Sequence, residues 1–342
     1  MLLFRKNPSL PYDASGSPTN SARLGRFLAW LIVAQFCSFR RNAFSSLSIG
    51  ALLALACLLA APASAHAQNT YTVTTLADQN DTSPDCTSGT GSTCSLRDAI
   101  ALANTESGDT IQFASGVTGV IYLSPFSGYG YFIIKSPMSI VGPGANLLTV
   151  SEGGYYGIVE ISPSLTSGTV SISGLTLTET QGNVIANDST ADLAINGCTI
   201  AGLYNQTTGI YNYSGALSVM NSTIYGNFGD GGILSEGPVT VINSTITGNS
   251  GDLGGGIVAY GNVTVIDSTI TGNSASSDGG IFVGPNGTVT LTNSIVAGNT
   301  TKGVLDSGDC SACNSQSSNN YVGGNPELGS LSSESAVVVT VR

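Results

Sequence analysis

A short block of residues recurs through the second half of this chain, and that recurrence sets what the chain can fold into. Four segments align without a gap: Leu217–Ile224, Val239–Ile246, Val263–Ile270 and Val289–Val296. Each runs on to a Gly-Asn pair, ending at Asn227, Asn249, Asn273 and Asn299. Two looser copies precede them, Val170–Leu177 and Leu193–Ile200. The first residues fall at 170, 193, 217, 239, 263 and 289, so the spacings are 23, 24, 22, 24 and 26. Self-similarity at such a period is the mark of a solenoid.

The pattern inside a copy is that of β-structure. Val239 and Val241 alternate with Thr240, a period of two. Asn243-Ser244 turns the chain, Ile246 points inward again, and Gly248-Asn249 closes a second strand. After a variable loop, Gly256-Ile257 opens a third short strand, as Gly232-Ile233 and Gly280-Ile281 do in neighbouring copies. Each copy therefore offers about four inward residues, such as Val263, Val265, Ile270 and Ile281, too few to bury alone. Stacked copies bury them, since each row meets its counterpart above and below. Each buried aliphatic contributes roughly 1.5–3 kcal/mol before ordering entropy is subtracted. The expected fold is all-β, a right-handed parallel β-helix with coils of 22–26 residues. At about 4.8 Å per coil the rod is some 35 Å long.

Two rows of turn residues fit this plan. Asn221, Asn243, Asp267 and Asn293 recur at one corner, and Asn227, Asn249, Asn273 and Asn299 at another. Asparagine tolerates left-handed backbone and stacks in ladders. Asn-Ser-Thr also spells a glycosylation sequon; the turn-and-ladder reading is preferred. The L-x-x-L-x-L pattern of leucine-rich repeats is missing, and Gly254-Gly255-Gly256 lacks the spacing of a calcium-binding β-roll.

Charge separates the chain into two parts. Arg5, Lys6, Arg23, Arg26, Arg40 and Arg41 all lie before position 42, whereas only Asp13 of the 21 acidic residues precedes position 68. From Gln68 onward only Arg97, Lys135, Lys302 and Arg342 are basic, a formal balance of −16. That surface repels phosphate backbones, so nucleic acid is not an expected partner. It attracts Ca²⁺ if any cofactor, through oxygen ligands; no other cofactor is expected. Arg40 and Arg41 followed by the apolar run Leu47–Ala61 and Ala63-Ser64-Ala65-His66-Ala67 form a signal peptide, cleaved after Ala65 or Ala67. A second apolar patch, Phe27–Phe39, leaves open whether the signal is long or the true start lies downstream. Cys57 lacks a lipobox. The mature chain is expected outside the cell or on its surface, meeting the membrane only through export or an unidentified anchor.

Export permits disulfides. Cys86 and Cys94 flank a Thr/Ser/Gly loop and are candidates to close it. Cys310 and Cys313 have C-x-x-C spacing, but with no second pair and no histidine nearby a loop staple is preferred to a metal or redox site. Cys198 reads as a small buried thiol.

An open β-helix end exposes strand edges and needs a cap. Ser95 and Asp98 give an S-x-x-D helix start, Leu96, Ala99, Ile100 and Ala103 form one apolar face, and Asn104 suits the end. Thr72-Val73-Thr74-Thr75-Leu76-Ala77-Asp78, Cys94-Ser95-Leu96-Arg97-Asp98-Ala99-Ile100 and Gly108–Phe113 together resemble the CSLREA domain, with Asp98 in place of Glu. The stretch from Asn293 to Gly324 resembles the start of the choice-of-anchor Q domain. The resemblance implies an exported bacterial β-helix protein that continues toward a sorting or anchoring segment. This chain instead stops after Val338–Arg342, so a truncated tail is expected and anchoring is left open. The expected organisation is a leader over 1–67, a cap over 68–115, the β-helix over 116–300 and a loop-rich tail over 301–342.

Catalytic signals are sparse. Asp230, Asp252 and Asp278 each precede a Gly-Ile strand and are candidates to line one side of the rod as a row on adjacent coils, with turn capping as the alternative. Such a row is what a glycoside hydrolase or polysaccharide lyase would use. No Lys, Arg or His lies between 170 and 300, and the single histidine, His66, sits at the cleavage site. A lyase base and histidine chemistry are thereby disfavoured. The tyrosines at 204, 211, 213, 225 and 260 are candidates to stack on neutral sugars. The expected function is a non-catalytic, adhesin-like rod that binds extracellular polysaccharide or a cell-surface protein; the alternative is a polysaccharide-cleaving enzyme working through the aspartate row.

Overall fold

A computed structural model describes residues 68–325 except 82–83, 88–92, 124–129, 154–155, 204–205, 306–308, 311–312 and 314–318. The leader, His66 and Val338–Arg342 lie outside the described residues. Three parallel sheets run along a rod. The first has nine strands, from Thr70–Val73 to Val289–Thr292; the second has nine, from Gly119–Tyr122 to Tyr321–Val322; the third has seven, from Phe132–Ile134 to Ile281–Val283. From Asp109–Phe113 onward successive coils visit all three in turn. A short fourth sheet pairs the loop strands Ser250–Gly251, Ser274–Ala275, Thr300–Thr301 and Val304–Leu305. Like pairs with like: Val239 with Val263 with Val289, and Ile233 with Ile257 with Ile281. The four inward residues read from the repeat are at most 1% exposed.

The corner between the first and second sheets needs one left-handed residue in each coil. Gly174 and Gly197 supply it in the earlier copies, and Asn221, Asn243, Asp267 and Asn293 in the later ones, all with φ between 46° and 62°. An L-residue strains there, which selects glycine or a short polar side chain. The asparagine amides bond along the outside of the rod, Asn243 to Asn221 and Asn221 to Asn196, each at 2.7 Å. Asn293 donates to Asp267, but Asp267 has no amide proton to pass on, and no hydrogen bond joins it to Asn243.

The second asparagine row stacks as a ladder, but the left-handed residue of its corner is not the asparagine. At that corner the left-handed residues are Gly226, Gly248, Gly272 and Gly298, with φ between 64° and 73°. Glycine takes the strained conformation, and Asn227, Asn249, Asn273 and Asn299 turn their amides inward, 0–1% exposed. Each backbone N–H and each side-chain Nδ2 of the first three donates to the Oδ1 of the next asparagine, at 2.8–3.1 Å. Asn249, Asn273 and Asn299 also donate to the carbonyls of Ile224, Ile246 and Ile270. A third stack was hidden in the Asn-Ser-Thr block. Ser222, Ser244, Ser268 and Ser294 are buried, each hydroxyl donating to the carbonyl two residues before it and accepting the N–H of the preceding coil's counterpart. Cys198 occupies this row one coil earlier, its N–H donating to Ser222 Oγ at 3.1 Å.

The helix, Leu96–Ala103, packs against the first strands of the first and third sheets and so covers the N-terminal end. Its capping box is complete: Ser95 Oγ accepts the Asp98 N–H, and Asp98 Oδ2 accepts the Ser95 N–H. Arg97 pins it to the coil beneath through both carboxylate oxygens of Asp78 and the Tyr131 carbonyl, with its guanidinium over Phe132. Cys86 and Cys94 are joined, and their carbonyls accept from Thr72 and Thr74 of the first strand. Cys310 and Cys313 are also joined, bridging to Ile281 and Val289 at the other end of the rod. Among the described residues no helix is long and apolar enough to cross a membrane.

Candidate functional site on the outward face of the third sheet

The third sheet turns two rows of side chains outward. The first row includes Glu160, Ala186, Tyr211, Leu234, Val258 and Phe282, aligned by the parallel register, with Val258 covered at 2% exposed beside Gly254. The second lies two residues further along each strand and includes Asp188, Tyr213, Glu236, Tyr260 and Gly284. Its register is fixed by main-chain bonds from Asp188 to Ile161, Tyr213 to Asn187, Glu236 to Asn212, Tyr260 to Ser235 and Gly284 to Ala259. Tyr213 and Tyr260 are each 47% exposed, unusual for large rings on adjacent parts of one face.

The carboxylates here feel one another. Burial and then the neighbouring Glu160 raise Asp188 above its ordinary value. Tyr211 is raised by burial first, then by Glu236, Asp188 and Tyr213, so its phenol sits among three acidic groups. Behind the face a buried polar stack stiffens the strands. Asn187 Nδ2 donates to Asn212 Oδ1 at 2.7 Å, and Asn212 Nδ2 to Ser235 Oγ at 2.9 Å. The platform is preorganised at small entropic cost to a ligand.

The candidate residues from the sequence fall in several places. Tyr211, Tyr213 and Tyr260 come together on this face; Tyr225 lies on the second sheet, and Tyr204 is outside the described residues. Asp230, Asp252 and Asp278 do not form a row on adjacent coils. Counted back from the paired isoleucines, Asp230 and Asp278 lie three residues ahead but Asp252 lies five ahead, because the glycine run before Ile257 is longer. Gly254 takes the place between them, paired with Asp278, so Asp230 and Asp278 stand two coils or about 10 Å apart. Their backbones serve turns: the Asp230 N–H donates to Thr208 Oγ1 and the Asp278 N–H to the Leu253 carbonyl. The Asp252 loop nonetheless flanks the face, since a Cβ on Gly254 would meet Val258 Cγ2 at 2.9 Å.

Glu160, Asp188 and Glu236 were not singled out from sequence. The signal that finds them is position: each sits in or just after the third strand of its coil. Among the described residues no group of three or more Asp, Glu, Cys or His is placed to hold a metal ion. Cys198 is a free, buried thiol, pushed up to about 11 by desolvation.

Residues 164–325 match the family model of the right handed beta helix region. With the three parallel sheets, this defines the class: a right-handed parallel β-helix. Among solved structures the chain is similar to a crystal structure of pectate lyase Pel9A, at 14% identity and a TM-score of 0.46, over 68% of this chain. It spans 64% of that protein's length. No curated protein matches the sequence.

Proposed function

We propose that this protein is an exported β-helix rod that binds polysaccharide, without cleaving it, through the outward face of the third sheet. The observation that carries the reading is the gathering of Tyr211, Tyr213 and Tyr260 with Glu160, Asp188 and Glu236 on one stiff face. Aromatic rings offer flat apolar area to the C–H faces of sugars, and carboxylates accept hydroxyl protons. The two disulfides suit an oxidising compartment, and the signal-peptide pattern and the CSLREA-like segment agree with export.

One observation favours a second reading. Asp188 is a carboxyl held above its ordinary value by burial, with a second carboxyl, Glu160, in the adjoining coil, and two nearby carboxyls are what glycoside hydrolysis uses. Incubating the purified protein with plant and microbial polysaccharides, with and without Ca²⁺, separates the two. Depletion of protein onto a polysaccharide with no new reducing ends or unsaturated products is expected. Release of product, abolished by Asp188→Asn, would replace the binding reading with the enzymatic one.

A further inference from the structure

We infer that the third face takes an extended, uncharged, β-linked glycan lying parallel to the rod axis, with alternate sugars stacked on Tyr213 and Tyr260. This rests on the polysaccharide-binding reading and adds linkage, charge and direction to it.

The register supplies the direction. Tyr213, Glu236 and Tyr260 follow one another in a single outward row, one per coil. Two coils at about 4.8 Å each place the tyrosines about 10 Å apart along the axis. That is the length of two successive sugars in an extended β-linked chain, where alternate rings turn the same face to one side. A sugar on Tyr213 thus puts the next but one on Tyr260, and the sugar between them opposite Glu236. An α-linked chain winds away from a straight row and loses this match.

The second ring has a fixed seat. Gly284 follows Tyr260 in the row, and a Cβ built on it would come within 2.8 Å of Tyr260 Cδ1. The ring therefore lies against bare backbone in the next coil while remaining half exposed. Glycine here is a matter of space, not of left-handed backbone.

Charge selects the ligand. No Lys, Arg or His occurs between 136 and 301. Glu160, Asp188 and Glu236 all belong to this face, so a chain of uronic acids meets only repulsion along it. The same carboxylates accept hydrogen bonds from neutral sugar hydroxyls. Lys135 stands in this row two coils before Asp188, on the side away from the tyrosines.

Isothermal titration of the purified protein with cello-oligosaccharides of increasing length, maltohexaose and hexagalacturonate tests this. Expected are binding of the cello series, a step in affinity on going from disaccharide to trisaccharide, and loss of that step in Tyr260→Ala. Tyr213→Ala and Tyr260→Ala each weaken the longer ligands about ten-fold, the loss of one aromatic contact with its buried area. Tyr213→Phe retains most of the affinity, which separates stacking from folding. Tighter binding of maltohexaose or hexagalacturonate that still depends on Tyr213 would overturn the inference while leaving the binding reading intact. A cello series that binds with no step at the trisaccharide would overturn it too. Binding of none of them, and of no polysaccharide in the wider panel, would overturn both.

Discussion

The second and third sheets present two outward faces of the same rod, built by the same coils, and they differ sharply in sequence. Along one row of the second sheet that points away from the core stand Thr149, Thr176, Thr199, Thr223, Thr245 and Thr269, one residue type for six coils, the last two of them covered. Along the matching row of the third stand Glu160, Ala186, Tyr211, Leu234, Val258 and Phe282, with no type repeated. Both rows have the same pairing and the same rise per coil, so the fold does not demand the difference. A β-branched threonine packs well on itself across a parallel sheet, and the second face is what stacking alone selects. Where repetition lapses on an otherwise regular solenoid, something other than stacking has chosen the residues. The chain supplies its own comparison set, coil against coil.

If that division is sound, damage to the repeated rows removes stability and spares binding, while damage to the third face does the reverse. The largest stability loss is expected at Asn249→Ala. It deletes donors to Asn273 and the Ile224 carbonyl, leaves the buried N–H of Asn227 without an acceptor and leaves the Asn227 amide only the Tyr225 carbonyl. A cost of about 3 kcal/mol or more is expected from several orphaned buried groups, read as a lower denaturant midpoint with glycan affinity unchanged.

The buried Cys198 thiol gives a pH limb of similar size. Its pKa rises from 9.0 to about 11 on folding, so the native state holds its proton where the unfolded chain has released it. Stability from this group is whole below pH 9 and falls as pH climbs toward about 11, by roughly 2–3 kcal/mol. Cys198→Ser continues the buried serine row and should flatten that part of the profile relative to wild type.

Smaller effects belong to the outer ladder. Asn243→Ala puts an unassisted side chain at φ 46° and breaks a 2.7 Å bond; a loss of about 1–2 kcal/mol is expected, with Asn243→Gly recovering most of it. Asp267→Asn should do the opposite. It supplies the missing amide donor between Asn243 and Asn293 while keeping a residue that tolerates the left-handed corner, a gain of about 0.5–1 kcal/mol by thermal melting.

The solenoid, its inward valines and isoleucines, the capping helix and the disulfide pairs were legible because each is announced by period or spacing. The ladder of Asn249 was legible, but its inward direction and the buried place of Ser244 were not, for a physical reason. Polar residues beside a corner look like turn formers, and only the stack of neighbouring coils shows that their groups are satisfied inside the rod. The left-handed role assigned to Asn249 belongs to Gly248, a one-residue difference that decides which way the amide points. The aspartate row failed because loop lengths differ between coils, so nearness to Ile257 in sequence did not preserve register. Glu160, Asp188 and Glu236 escaped notice because a site made from unlike residues leaves no period to detect.

The most direct test of the central claim compares two exposed tyrosines on different faces. Tyr213 on the third sheet is 47% exposed and Tyr225 on the second is 39% exposed. Affinity for the best polysaccharide ligand should fall about ten-fold in Tyr213→Ala and stay at the wild-type value in Tyr225→Ala. Equal losses in both, or a loss only in Tyr225→Ala, would contradict the placement of the site on the third face.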